Sequence, residues 1–145
     1  MNFKNEKVAL HLEAVKYQYK DAKDECDRNW LMVKAKLLEE SKVFETMDPF
    51  LQTSDLQYMI KWFEALPNPT YTELDFMEPN LAFEFMGEKE GEIHIVIRLS
   101  QELNPPWCKE EEYEFSISIT QDDRENILRA IEEQQKKFPK RQKKT

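Results

Sequence analysis

The sequence predicts an α+β fold in which a mostly antiparallel β-sheet carries two main helices packed on one face. Many segments alternate strictly between apolar and polar residues, and only two stretches repeat apolar residues at helical spacing. The connections are also too short for repeated parallel crossovers. With 145 residues, we expect a single α+β domain over residues 1–135 and a basic, flexible C-terminal tail over residues 136–145.

Three strands are predicted in the first third of the chain. Residues 8–12 alternate between apolar and polar, but the apolar phase slips at Val15, which indicates a bulge or a strand break. A second strand begins near Trp30, with lysines opposite its apolar face. A turn through residues 39–41 then leads into a third strand over residues 43–47.

The first helix follows directly. Ser54 and Gln57 have the spacing of a capping box. Five apolar residues then share one helical face: Leu56, Met59, Ile60, Phe63 and Leu66. Pro67 should end this helix because proline cannot continue one.

The second half of the chain contains four more predicted strands. Their ranges are 71–76, 81–86, 93–99 and 113–119. Turns are expected at residues 78–80 and at Glu90-Gly91, where proline, asparagine and glycine favour turn backbone angles. The stretch 104–107 should be irregular because its two prolines cannot donate to a sheet.

The last helix is predicted from Thr120, which forms a capping pair with Asp123. It should bury Ile127, Ala130 and Ile131. Phe138-Pro139 should end it.

The charge distribution favours a basic partner. Formal net charge is −8, yet the last ten residues carry six basic side chains and no acidic one. Residues 1–135 therefore hold 15 basic against 29 acidic side chains, about −14 by formal count. Nucleic acid is disfavoured, because phosphate affinity depends on Lys and Arg. The simpler alternative, that the acidity only keeps the protein soluble, stays open.

The sequence also predicts a cytoplasmic protein that does not bind membranes. The first residues lack the apolar core of a secretory signal, and no apolar run approaches the length that spans a bilayer. Two cysteines are too few for a disulfide framework, which favours a reducing compartment.

No catalytic apparatus is recognisable, so we predict a protein that is not an enzyme and needs neither cofactor nor metal. His11 and His94 both fall on the polar side of a strand. With two glycines in the chain, there is no phosphate-binding loop and no nucleophile elbow. A spatial pairing of Cys108 with His94 is the one catalytic alternative that stays open.

Two tryptophans lie at predicted element boundaries, Trp30 at a strand start and Trp107 after two prolines. Boundary tryptophans can anchor protein interfaces. They can equally close the ends of a core, and both interpretations stay open.

A series of short motifs resembles the WapI family of bacterial immunity proteins between about Asp27 and Arg141. The motif residues are Asn29, Trp30, Asp48, Pro49, Glu78, Pro79, Asn80, Pro106 and Trp107, followed by Phe138-Pro139-Lys140-Arg141. Where the family continues with an apolar residue and a Trp, this chain has residues 52–55, Gln-Thr-Ser-Asp. That departure bears on the partner rather than on the fold.

The resemblance implies a small cytosolic antidote that neutralises the C-terminal toxin domain of a large, WapA-like cell-wall-associated protein used in contact-dependent competition. Such toxin domains are often nucleases with a basic cleft, which an acidic surface could occlude. The candidate partner-binding residues are Asp24, Glu25, Asp27, Trp30, Trp107, Glu110, Glu111 and Glu112. The alternative is a non-enzymatic cytosolic adaptor or regulatory protein-binding domain. The oligomeric state is left open.

Overall fold

Eight strands and three helices form two four-stranded antiparallel sheets and a helical layer in the computed structural model, which describes residues 1–143. The strands are β1 (Asn2–Lys4), β2 (Val8–Tyr17), β3 (Trp30–Glu39), β4 (Lys42–Gln52), β5 (Glu73–Leu74), β6 (Leu81–Lys89), β7 (Glu92–Ser100) and β8 (Glu112–Ile119). The helices are α1 (Glu25–Arg28), α2 (Thr53–Ala65) and α3 (Gln121–Lys137), with a short 3-10 turn at Gln101–Leu103. The predicted α+β fold is confirmed. The structure adds that the strands divide between two sheets.

The first sheet has the order β1-β2-β3-β4. The slip predicted at Val15 is confirmed, since the β2–β3 register shifts between Ala14 and Lys16. The hairpin turn is confirmed as well, with Glu40 at φ 54°. β4 runs on to Gln52, five residues beyond the predicted end, because a second register shift lets the strand follow β3 back to Trp30.

The second sheet has the order β5-β6-β7-β8. Its tightest turn is the predicted one, because Glu90 and Gly91 both adopt positive φ, at 54° and 80°. The first predicted strand, 71–76, is mostly loop, and only Glu73 and Leu74 pair with β6. Apolar alternation over so short a stretch did not distinguish a strand from a loop that buries a single leucine.

Helix α2 begins two residues earlier than the sequence indicated. The capping box involves Gln52 and Asp55, and the Gln52 backbone N–H donates to the Asp55 carboxylate at 2.8 Å. The predicted Ser54 and Gln57 pair was therefore wrong: both residues already lie inside the helix. For α3 the prediction is confirmed, with Thr120 and Asp123 capping each other reciprocally.

One continuous core joins both sheets to the helices. At its centre three buried phenylalanines meet, Phe3 from β1, Phe63 from α2 and Phe83 from β6, with ring centroids 5.3 to 6.2 Å apart. Burying each ring contributes roughly 1.5–3 kcal/mol, and the tilted contacts add to that. The two sheets are thus held together through α2 and the short first strand.

The C-terminal segment packs against the body at residues where the sequence suggested a free tail. α3 continues to Lys137, so the boundary expected at residue 135 falls inside a helix. Beyond it, the Phe138 ring packs edge-on against Tyr17, and Arg141 binds the α1 region. Packing extends at least to Arg141. The rest of the predicted tail includes residues 144 and 145, which lie outside the described residues.

Candidate functional site

The first predicted acidic group, Asp24, Glu25 and Asp27, lies on the one-turn helix α1, and we call it the α1 cluster. Asp24 is the N-cap, and its carboxylate accepts the backbone N–H of Cys26 at 2.9 Å and of Asp27 at 3.2 Å. Glu25 forms an ion pair with Lys140 at 3.1 Å. Two of the three carboxylates are therefore already used inside the chain.

Beside this cluster, Asn29 occupies a buried position and uses both ends of its amide. Its Nδ2 donates to the Glu25 carbonyl at 2.7 Å and to the Arg141 carbonyl at 2.9 Å. Its Oδ1 accepts from the Thr53 hydroxyl at 3.0 Å and from the Arg141 backbone N–H at 2.7 Å. Asn29 thus connects α1, the start of α2 and the C-terminal segment through hydrogen bonds.

Arg141 completes the same junction. Its guanidinium donates to the carbonyls of Arg28, Tyr19 and Lys20 at 2.5 to 3.2 Å. The guanidinium carbon also lies 3.8 Å from the centre of the Tyr17 ring. Together with Asn29, these contacts define what we call the Asn29 junction.

The second predicted acidic group, Glu110, Glu111 and Glu112, covers the end of the loop before β8 and the first residue of that strand, and we call it the acidic loop. All three side chains are exposed. Within residues 1–143 no salt bridge reaches them. Cys108 and Asn104 hold the loop by donating to its backbone carbonyls. Its carboxylates are thus free to meet an external cation.

The acidic loop continues onto the face of the second sheet that points away from the core. On that face Arg98 lies between Glu84, at 2.5 Å, and Glu114, at 3.4 Å. The hydrogen bond that Arg98 donates to the Glu84 carboxylate raises the pKa of Arg98, which keeps it charged. Glu73 pairs with Glu84 across β5 and β6. The carboxylates of Glu73, Glu84 and Glu114 therefore exceed the single positive charge of Arg98, and the net charge of this group is negative.

The structure separates the two predicted acidic groups. The α1 cluster precedes Trp30 at one end of β3, whereas the acidic loop adjoins Tyr113, whose hydroxyl donates to Glu39 at the other end. Nine residue steps along β3 correspond to about 30 Å. A standard interface patch of roughly 800 Å² per partner is about that wide, so both groups could share one partner only at its opposite margins.

The two tryptophans also lie apart, and each is half-buried. Trp30 starts β3 and pairs with Gln52. Trp107 packs against the core, and the Lys42 ammonium lies 5.4 Å from its ring centre. Either could present only part of its ring to a partner. Their role as interface anchors stays a prediction.

The remaining family-motif residues converge where β4 meets the segment after β7. The Asn80 side chain is buried and donates to Glu102 at 2.8 Å, and the Ser100 hydroxyl donates to the Pro79 carbonyl at 2.5 Å. Burial and the nearby Glu102 and Glu78 carboxylates raise the pKa of Asp48. The Asp48 carboxyl of β4 thus lies near Glu78 and Glu102. Pro49 is half-buried within β4, and Pro106 is exposed in the loop between β7 and β8.

Sequence reasoning missed an open groove of about 750 Å³ between α2 and the loop after it. Its lining includes Tyr58, Lys61, Trp62, Tyr71, Glu73 and Asp75. Tyr58 is 55% exposed and Tyr71 is 77% exposed, which is high for large aromatic residues. The i, i+4 spacing of Tyr58 and Trp62 was a readable signal, but only the fold brings Tyr71 opposite them.

The alternative catalytic pairing is not formed. The His94 ring hydrogen-bonds the Ser118 hydroxyl at 2.8 Å, near the far end of β8, whereas Cys108 contacts the backbone at Glu112. The six residue steps from Glu112 to Ser118 span about 20 Å of strand. In the part of the chain that the structure describes, no group of three His, Cys, Asp or Glu side chains is arranged to hold a metal ion. No helix there is long and apolar enough to cross a membrane.

Comparison with known proteins links these features to a family. The model of the Immunity protein WapI-like family matches residues 1–139. No curated protein matches the chain. The matched range covers both sheets, all three helices and nearly all of the motifs that carried the resemblance. The chain therefore belongs to the WapI-like immunity protein family.

Proposed function

We propose that this protein binds the C-terminal toxin domain of a cell-wall-associated protein used in contact-dependent competition and neutralises it by occlusion. The observation that carries the proposal is the family match over residues 1–139. The acidic body supports it, because a nuclease toxin presents a basic substrate cleft that carboxylates could fill. Occlusion requires binding alone, so no catalytic residue is needed.

The acidic loop and the outer face of the second sheet are the better candidate for the toxin-facing surface. The loop carboxylates are exposed and unpaired within residues 1–143, so docking would not first break an internal ion pair. By contrast, two carboxylates of the α1 cluster already have partners inside the chain, because Asp24 caps the helix and Glu25 pairs with Lys140. Exposed negative charge chiefly increases the association rate with a basic partner.

Neutralisation by occlusion makes a quantitative prediction about stoichiometry. The toxin domain encoded in the same locus should be co-expressed with this protein, and the survival of the cells should be scored. The purified toxin domain should then be titrated with the purified protein. The activity of the toxin domain should vanish at one equivalent, and the two chains should co-purify. An unrelated toxin domain serves as the control and should not be neutralised.

Two results would contradict this proposal. Neutralisation at far below one equivalent would point to an enzymatic antidote. Rescue without complex formation would exclude occlusion. If the locus held no toxin gene and the purified protein bound a different cytosolic protein, the adaptor alternative would be favoured.

A further inference from the structure

The groove between α2 and the segment 67–77 is a preformed surface rather than a loose loop. The Trp62 indole N–H donates to the Tyr71 carbonyl at 3.0 Å, which fixes the loop against the helix. The Thr72 carbonyl accepts the backbone N–H of Phe85, which ties the same loop to β6. At the other end of α2, the Met77 sulfur lies 4.0 Å from the Gln52 amide nitrogen. The groove walls are therefore set before any partner arrives.

Large apolar side chains are unusually exposed along this groove and its loop. Tyr71 and Met77 are the two most exposed large hydrophobic residues of the described chain, at 77% and 72%, and Tyr58 faces Tyr71's loop from α2. Tyrosine, tryptophan and methionine are enriched at protein interfaces because they provide large contact area at low conformational cost. Two exposed tyrosines around one concave surface, with Met77 on the same loop beyond the groove, indicate a protein-binding site.

Charge on the groove rim selects the kind of segment that would fit. Glu73 and Asp75 place two carboxylates on the loop wall, against the single ammonium of Lys61 on the helix wall. A cationic side chain could stack on a tyrosine ring while pairing with these carboxylates. Arginine suits both contacts better than lysine, because its guanidinium is planar and forked.

We infer that this groove receives an arginine-bearing segment of the toxin domain, with Tyr58 and Tyr71 on either side of it and Glu73 and Asp75 pairing with its charge. The inference rests on the proposed function and names a second part of the same interface. Glu73 lies on the outer face of the second sheet, beside Glu84. From there Glu114 is about 15 Å away across three strand spacings. One partner of ordinary size can therefore cover the groove and the acidic face together.

The test is calorimetric titration of the toxin domain from the same locus into the full-length protein and its Tyr71→Ala and Tyr58→Ala variants. Tyr71→Ala keeps the carbonyl that accepts from Trp62, so the loop should stay in place. Each substitution should weaken Kd by roughly thirtyfold, as expected for an interface hot spot. Met47→Ala is the matched control, since Met47 is an exposed apolar residue on β4, and it should leave Kd unchanged.

A second pair of variants tests the charge. Glu73→Gln and Asp75→Asn should each weaken binding by roughly threefold to tenfold at low salt, with a smaller effect at high salt. If wild-type protein binds the toxin domain but both tyrosine variants bind equally well, the groove inference is overturned and the proposed function stands. If wild-type protein does not bind at all, the proposed function itself fails. Circular dichroism of each variant shows whether a lost affinity reflects unfolding.

Discussion

The Asn29 junction and the groove along α2 lie at opposite ends of the same helix but differ in how their side chains are used. At the junction, the buried Asn29 amide makes four hydrogen bonds, and Arg141 adds several to backbone carbonyls. At the groove, Tyr58 and Tyr71 are more than half exposed, and neither side chain has a described hydrogen bond. The polar side chains of the Asn29 junction are therefore bonded within the chain, whereas the tyrosine side chains of the groove are accessible to a partner.

The difference shows what the recurring family motifs do. Asn29, Asn80 and Arg141 are among the residues that carried the resemblance, and each hydrogen-bonds a residue from another part of the chain. Such residues preserve a scaffold. The groove residues Tyr58 and Tyr71 belong to no motif of that series, which agrees with the inferred role of the groove in binding one particular partner. Measuring stability and affinity on the same variants separates scaffold residues from interface residues.

The largest effect is expected for Asn29→Ala. It removes four hydrogen bonds and leaves the Thr53 hydroxyl and the Arg141 backbone groups without partners in a buried place. The free energy of unfolding should fall by about 3 kcal/mol, measured by urea denaturation. Asn126→Ala, on the exposed face of α3, is the matched control and should change stability by less than about 0.5 kcal/mol. Toxin affinity of the folded fraction should be unchanged; a stable but non-binding variant would place the junction in the interface.

Arg141→Lys should have the next largest effect. Lysine keeps the charge but cannot span the carbonyls of Arg28, Tyr19 and Lys20 with a planar fork, and it stacks less well on Tyr17. We expect a loss of about 1–2 kcal/mol in the free energy of unfolding. Lys140→Ala removes only an exposed ion pair with Glu25 and should cost less than about 0.5 kcal/mol. Unchanged stability in Arg141→Lys would show that charge alone, not the geometry of the guanidinium, holds the segment.

Much of the fold could be predicted because local patterns and global packing agree in this chain. The bulge at Val15, the Glu90-Gly91 turn and the Thr120–Asp123 cap each depend on a few neighbouring residues. The division into two sheets could not be read from alternation, because period-two patterns do not identify which strands pair. The packing of Arg141 was missed for a related reason: a basic run resembles a solvated tail unless its carbonyl partners, distant in sequence, are known.

The candidate site was predicted in composition but not in arrangement. The acidic residues were correctly expected to be mostly exposed, yet nothing in the sequence placed the α1 cluster and the acidic loop at opposite ends of β3. The groove was missed because nothing in the sequence relates Tyr71 to Trp62, which is a core residue with only 7% exposure. The same tryptophan also forms a groove wall once Tyr71 is brought over it.

Charge reversal tests whether the acidic loop, rather than the net charge of the protein, steers association with the toxin domain. Replacing Glu110, Glu111 and Glu112 together by lysine should slow association with the toxin domain by roughly tenfold at low salt, and change dissociation much less. The same replacement of Glu125, Glu132 and Glu133 on α3 is the matched control, because it alters net charge equally on another surface. Stopped-flow association rates provide the measurement. Equal slowing by both triples would mean that net charge, not the acidic loop, steers association.

The smallest expected effect concerns the contact between the acidic loop and the core. The Tyr113 hydroxyl donates to Glu39 and, as the largest contribution, lowers the pKa of that carboxyl below its ordinary 4.5. A carboxyl whose pKa is lowered by folding stabilises the folded state above its unfolded pKa, and this contribution disappears as pH falls through the folded value. Tyr113→Phe should therefore return the pKa of Glu39 towards 4.5 in an NMR titration and flatten the loss of stability below that pH. Toxin affinity at neutral pH should not change, because the ring of Tyr113 faces the core and its hydroxyl is satisfied inside the chain. If Tyr113→Phe instead weakened the complex and left the pKa of Glu39 unchanged, Tyr113 would be part of the binding surface. The interface would then include residues beneath the acidic loop as well as the loop itself.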